Sequence, residues 1–194
     1  MTRTVIVMAR APTYGQGKTR LARDVGRAAA LRINRALQAQ TLRVVSDLRW
    51  VTVLAVTPYL ARHRRLPNVW PHSAVRVPQG GGDLGDRLAR VMRRVRGPLV
   101  VIGTDCPEMT ARDVSDLFRA LGKAPVAFGS AVDGGFWGLA ARRACDVTRA
   151  FRGVRWSSAQ TRSDIEARLT VRFVHGRTLP DIDTIEDWRA WRRS

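Results

Sequence analysis

Short runs of β-branched and apolar residues alternate along the chain with longer segments whose apolar positions recur at helical spacing. Thr4 to Ala9, Val51 to Val56 and the fully apolar Leu99 to Ile102 are runs of the first kind, and each is predicted as a strand. Between the first two, Asp24 to Leu48 places Ala29, Ile33, Leu37, Leu42 and Val45 near the helical period, which predicts one long helix. His63 to His72, rich in proline and arginine, reads as loop, Val75 to Val77 as a short extended piece, and Gly80-Gly81-Gly82 as a turn. Asp83 then suits the N-cap of a helix through Val95, and Thr110 that of a helix through Leu121. Val126 to Phe128 and Phe136 to Ala140 are predicted strands around the turn Asp133-Gly134-Gly135. A helix around Ala144 to Phe151 follows, then one from Ser157 or Ser158 to about Leu169. Val171 to Val174 is a late strand, and Ile185 to Trp191 a last helix.

Apolar strands alternating with amphipathic helices predict an α/β fold, a mostly parallel central sheet flanked by helices on both faces. No linker, repeat or low-complexity tract divides the chain, so residues 1–194 read as a single domain. In such sheets ligands sit beyond the carboxyl ends of the strands. That directs attention to the loops Arg10 to Lys18, Gly103 to Pro107 and Asp181 to Asp183.

Composition adds three points. Hydrophobic residues at 45% with 26% charged residues suit a globular protein. No apolar stretch approaches the ~18 residues of a membrane span, and Arg10 interrupts the only apolar run near the start, so a cytoplasmic location is expected. The net charge of +18 comes almost wholly from arginine, since Lys18 and Lys123 are the only lysines. Arginines spread along the whole chain read as a solvated surface or as a field attracting anionic small substrates. No zinc finger, aromatic RNA-binding signature or basic arm points to a specific nucleic-acid partner. Cys106 and Cys145 have no paired spacing and are expected as free thiols, Cys106 in a packing role. His63, His72 and His175 have no zinc-ligand spacing.

The segment after the first strand, Gly15-Gln16-Gly17-Lys18-Thr19, resembles the end of a P-loop. That motif needs a glycine five residues before Gly17, where this chain has Pro12, which lacks the backbone N–H of the phosphate cradle. The loop nevertheless carries Arg10, Lys18 and Arg20 into a helix, a set suited to a polyphosphate. A lysine so isolated in an arginine-rich chain marks Lys18 for a specific task.

Five blocks carry a wider resemblance: "KTRLA" from Lys18, "GDLGDRL" from Gly82, "GTDCPEM" from Gly103, "DGGFWGLA" from Asp133 and "DIDTIEDW" from Asp181. In this order the chain resembles the GT-A-like nucleotidyltransferase and glycosyltransferase superfamily. It is most similar to the bacterial radical-SAM/selenodomain-associated transferases, relatives of the guanylyltransferase that acts on 2-phospholactate. The resemblance implies a single-domain Rossmann-like GT-A fold, a nucleotide donor, a small-molecule acceptor and Mg²⁺ or Mn²⁺. It implies metal ligation by Asp105, Asp181 and Asp183, with Lys18, Arg20 and Asp105 carrying catalysis. Donor contacts are expected from Arg10, Lys18, Arg20, Gln79, Gly82, Asp83 and Arg87, and acceptor contacts from Asp133, Gly134, Gly135 and Trp156.

Nucleotidyl transfer is the first reading of this set, with release of pyrophosphate. Glycosyl transfer from a nucleoside-diphosphate sugar and a non-catalytic nucleotide- or polyanion-binding module are the alternatives. The loop departs from the wider nucleotidyltransferase pattern, which is richer in glycine and ends in Pro-Lys. Several residues also have plain structural readings: Asp83 as an N-cap, Asp133-Gly134 as a hairpin turn, Asp181 and Asp183 as caps of the last helix, Trp156 as core, and Arg87 as a solvated charge.

Overall fold

The computed structural model describes residues 2–193. Seven strands, β1 (Thr4–Arg10), β2 (Val51–Thr57), β3 (Val75–Pro78), β4 (Leu99–Ile102), β5 (Val126–Ser130), β6 (Phe136–Ala141) and β7 (Phe173–His175), form one sheet in the order β3-β2-β1-β4-β6-β5-β7. Every pairing is parallel except those of β6, which runs against both β4 and β5. This is the mixed, mostly parallel α/β domain that the alternation predicts. Among the described residues six α-helices complete it, α1 (Thr19–Val45), α2 (Leu84–Met92), α3 (Ala111–Ala120), α4 (Cys145–Thr148), α5 (Thr161–Glu166) and α6 (Ile185–Arg193), with short 3-10 helices at Tyr59–His63 and Arg149–Phe151.

The central strands are largely apolar because both faces of the sheet are covered there. On β1, Val5, Val7 and Ala9 join the core beneath α1 and α3, while Ile6 joins the opposite core beneath α2, α4 and α5. On β4, Val100 and Ile102 face the first core, and Leu99 and Val101 the second. A smaller cluster of Leu21, Ala30, Ile33, Leu37 and Ile182 sits between α1 and α6, with Trp188 and Trp191 packed on it.

Both expected caps form. Asp83 and Asp86 make a capping box on α2, as do Thr110 and Asp113 on α3. Several boundaries differ from expectation. The long helix begins at Thr19, ahead of the expected Asp24, and is broken at Gly26, whose φ of 78° and ψ of 159° are not helical. The helix expected from Ser157 or Ser158 starts only at Thr161. The Ser158 hydroxyl donates to the Arg155 carbonyl at 2.7 Å, and Arg155 grips Asp164 through two guanidinium nitrogens at 2.9 and 2.7 Å. Ser158 therefore holds a loop in place of starting a helix. No helix among the described residues is long and apolar enough to cross a membrane.

Candidate functional site

From β1 the chain steps outward through β2 to β3, then returns across α2 to β4 on the other side of β1. The carboxyl ends of β1 and β4 therefore flank a topological switch point, where a crevice is expected. A cavity of about 530 Å³ opens there, lined in part by Arg10, Lys18, Arg20, Gln79, Arg87, Asp105 and Asp183. Seven of the expected site residues thus share one cavity, contributed by strand ends, loops and helix starts far apart in sequence. Four cations face two carboxylates, so the cavity favours an anionic ligand.

Lys18 lies at its centre. It occupies the N-cap of α1 in the left-handed region, with φ 47°, and its side chain is only 8% exposed. Its ammonium meets Asp105 Oδ1 at 2.8 Å and Asp183 Oδ1 at 3.2 Å, and also donates to the Ile182 carbonyl. Burial alone would lower its pKa, but Asp105 and Asp183 outweigh that effect and raise it. Arg20, largely exposed, reaches the second oxygen of Asp183 at 3.3 Å. The two carboxylates remain about half exposed.

Backbone contacts fix this cluster. The Ile182 N–H donates to the Asp105 carbonyl at 2.8 Å, tying the segment before α6 to the end of β4. Asp183 is free for Lys18 because the cap of α6 falls elsewhere. Thr184 Oγ1 accepts from the Asp187 N–H at 3.2 Å, and the Asp187 carboxylate accepts from the N–H groups of Thr184 and Asp183 at 2.8 and 3.0 Å.

The expected three-carboxylate set is not assembled. Among the described residues, no group of three His, Cys, Asp or Glu side chains stands ready to hold a metal ion. Asp181 and Asp183, two apart, would share a face of an extended segment, and residues 181–183 belong to no strand of the sheet. Asp181 lines a small separate pocket with Pro107, Glu108 and Trp191. Its carboxyl is pushed up to about 6, first by burial and then by Asp133 and Asp183. Asp105 and Asp183 remain a usable pair: two hard oxygen donors converge on one cationic nitrogen. Mg²⁺ is commonly bound through one or two carboxylates plus substrate phosphates, and this pair fits that requirement.

The remaining candidates have local roles. Gln79 is buried and donates to the carbonyls of Ala9 and Ala55 at 3.2 and 2.8 Å, bridging β1 and β2 beneath the cavity. The Arg87 side chain donates to the Gly82 carbonyl at 3.0 Å while lining the cavity. Gly82 and Asp83 themselves are outside its lining, and the Asp83 carboxylate is engaged in the α2 cap. Asp133 accepts from the Gly135 N–H at 2.8 Å, an Asx turn within the hairpin. Gly134, at φ 88°, lies so close to the Ala159 carbonyl that a Cβ would stand 2.1 Å from its oxygen. Trp156 packs on Phe151 and over Gly85, where a Cβ would meet its ring at 2.6 Å. It is thus part of the cover of α2, and its indole N–H is buried without a hydrogen-bond partner.

Among the cavity residues that escaped the sequence reading are Asn34 and Gln38. Gln38 is almost fully buried and donates to the Arg10 carbonyl at 2.8 Å and to Asn34 at 3.0 Å, while accepting from the Trp70 indole at 2.8 Å. Asn34 and Gln38 both line the cavity. The available signal was that Asn34, Gln38 and Thr41 recur on the buried stripe of α1 at helical spacing. A larger groove of about 1000 Å³ runs between the second half of α1 and residues 62–76 and holds none of the expected site residues.

The family described as "Uncharacterized protein conserved in bacteria (DUF2064)" matches residues 19–158. No curated protein matches the chain. Among solved structures, a Desulfovibrio desulfuricans G20 protein provisionally described as a nucleotide-diphospho-sugar transferase is similar over 100% of this chain and 87% of its own, at 22% identity and a TM-score of 0.87. CMP:2-keto-3-deoxy-manno-octonic acid synthetase complexed with CTP covers 100% and 98% at 16% identity, TM-score 0.58. Rv0371C of Mycobacterium tuberculosis H37Rv, in a complex with manganese, covers 100% and 98% at 14% identity, TM-score 0.59. At these identities the likeness establishes a shared fold and does not bear on the nearer resemblance to radical-SAM-associated transferases.

Proposed function

This chain belongs to the DUF2064 family, and from that premise we propose that it is a metal-dependent transferase with a nucleotide donor. The reaction is nucleotidyl transfer from a nucleoside triphosphate to a small phosphorylated or polar acceptor. An acceptor oxygen bonds to the α-phosphorus, the bond to the bridging oxygen breaks, and pyrophosphate leaves. The observation that carries this reading is the convergence of Arg10, Lys18, Arg20 and Arg87 with Asp105 and Asp183 in one cavity at the switch point. Cations alone would suit any anion, whereas a carboxylate pair among them suits a metal-bridged phosphate chain. A divalent ion held by Asp105 and Asp183 would neutralise charge developing on the phosphate oxygens. Arg10, Arg20 and Arg87 would orient the phosphates and stabilise the departing pyrophosphate. The CTP complex of a protein with this fold is in keeping with a nucleotide donor, and the manganese complex with a metal.

The second reading is glycosyl transfer, with the same cavity holding a nucleoside diphosphate as leaving group. The provisional description of the Desulfovibrio protein, with its TM-score of 0.87, favours it. Acceptor contacts from Asp133, Gly134, Gly135 and Trp156, and any ligation by Asp181, stay part of the proposal.

A thermal-shift panel tests these readings. It compares the four nucleoside triphosphates with nucleoside-diphosphate sugars, each with Mg²⁺, Mn²⁺ or chelator, for the wild type and Asp105→Asn. A ligand at 100 times its dissociation constant adds about 2.7 kcal/mol of stability. The expected result is a shift with one triphosphate that needs metal and vanishes in Asp105→Asn. A shift confined to nucleotide sugars selects glycosyl transfer. Binding that survives chelator and Asp105→Asn but weakens steeply with salt leaves only a polyanion-binding module.

A further inference from the structure

The contacts of Lys18 conflict with its expected task. An ammonium has three donors, and those of Lys18 have three acceptors: Asp105 Oδ1, Asp183 Oδ1 and the Ile182 carbonyl. With its side chain 8% exposed, it has no donor left for a phosphate. The two oxygens it holds belong to the carboxylates suited to a divalent ion. Two cations set against the same pair of oxygens disfavour each other, because at ~4 Å their repulsion is appreciable even in water. Lys18 and a metal therefore compete for one position.

A nucleotide changes that balance. A triphosphate supplies acceptors for the ammonium, and Arg10, Arg20 and Arg87 line the cavity where its other oxygens would lie. It also brings negative charge that favours the dication. Neither change accompanies a free metal ion. We infer that Lys18 closes the carboxylate pair to free divalent metal and yields it only to a metal–nucleotide complex, which is the donor ligand the cavity accepts. The inference rests on the donor-site reading above. It adds an order of events: metal and nucleotide enter together, and Lys18 moves from carboxylate to phosphate as they do. Asp183 keeps its tie to Arg20 through its other oxygen and is not left without a partner.

The probe is Mn²⁺, followed by the electron paramagnetic resonance signal of the free ion, which disappears on binding. Wild type, Lys18→Met, the double variant Lys18→Met/Asp105→Asn, and Lys123→Met as a control for the lost charge outside the cavity are titrated with Mn²⁺ alone. The wild type and Asp105→Asn are titrated again in the presence of each triphosphate and of nucleotide sugars. Near-UV circular dichroism checks folding, and Lys18→Gln replaces Lys18→Met if the latter is not native.

Lys18→Met is expected to bind Mn²⁺ alone on the order of tenfold more tightly than wild type, with the gain lost in the double variant and absent in Lys123→Met. In the wild type, the donor nucleotide is expected to raise Mn²⁺ affinity by a similar factor. A native Lys18→Met or Lys18→Gln protein that binds Mn²⁺ no better than wild type overturns the inference. If in that case the wild type still binds Mn²⁺ with nucleotide in a way that Asp105→Asn abolishes, the donor-site reading stands without it. If no Mn²⁺ binding depends on Asp105 under any condition, the donor-site reading fails and the inference falls with it.

Discussion

Asp181 offers a sharp test of the electrostatics beside the cavity. In the folded protein its carboxyl is pushed up to about 6 from an ordinary value of 3.8, by burial first and by Asp133 and Asp183 next. Between those values the native state keeps a proton that the unfolded chain has released. Stability is therefore lost as pH rises from about 4 through 6, and the penalty is fully present above that window. The gap corresponds to roughly 3 kcal/mol without screening. The side chain is only half buried, so solvent reduces this to about 1 kcal/mol. Asparagine keeps the shape and cannot ionise. Asp181→Asn is expected to stabilise the protein by about 1 kcal/mol at pH 7.5 and to have almost no effect at pH 4. Urea denaturation at both pH values, with chelator present, measures it. A variant that is destabilised at pH 7.5, or equally shifted at both pH values, refutes the reasoning. Repeating the pH 7.5 measurement with Mn²⁺ and nucleotide asks whether the ionised carboxylate is used by a ligand: if it is, the advantage of asparagine disappears.

The other predictions concern packing and reactivity. Gly134→Ala must hold a left-handed backbone and place a Cβ against the Ala159 carbonyl, so a loss of about 2–3 kcal/mol is expected. Gly135→Ala, whose Cβ would meet only the Asp133 carboxylate at 3.0 Å, is expected to lose less than half of that; equal losses in urea melts would contradict the geometry. Thr184→Ala removes the side-chain cap of α6 and is expected to cost about 1 kcal/mol, and an unchanged urea midpoint would show that the cap contributes nothing. Cys106 is buried, and burial followed by the charges of Asp181, Asp105 and Asp133 raises its thiol pKa, while Cys145 is exposed. A thiol reagent at pH 8 should therefore label one cysteine per native chain and two after denaturation; two in the native protein would mean that Cys106 is accessible.

What could be read from the chain alone is what acts within a few residues. The apolar runs at Thr4 and Leu99 mark buried strands because a sheet covered on both faces needs no polar alternation. Asp83 and Thr110 announce helix starts because a capping box is closed within three residues. Asp133-Gly134 announces a hairpin turn through the conformational freedom of the glycine. The motif residues Arg10, Lys18, Arg20, Arg87, Asp105 and Asp183 do meet in one cavity, because each stands in or beside a loop whose strand or helix was itself legible.

Which of them touch was decided only by the tertiary structure. The contact between Lys18 and Asp183 spans 165 residues and depends on the registers of β1 and β4 and on the Ile182–Asp105 backbone bond. No local pattern encodes such a meeting, and it turned the expected phosphate lysine toward the carboxylates. The same holds for Gln38, read as one more helix residue until its amide meets the end of β1. Asp181 is the converse case. It was expected beside Asp105 and Asp183 as a third metal ligand, but it lines a separate small pocket, where its carboxylate feels the charges of both Asp133 and Asp183. Local chemistry assigns each residue its capabilities, and the packing of distant loops selects which of them is used.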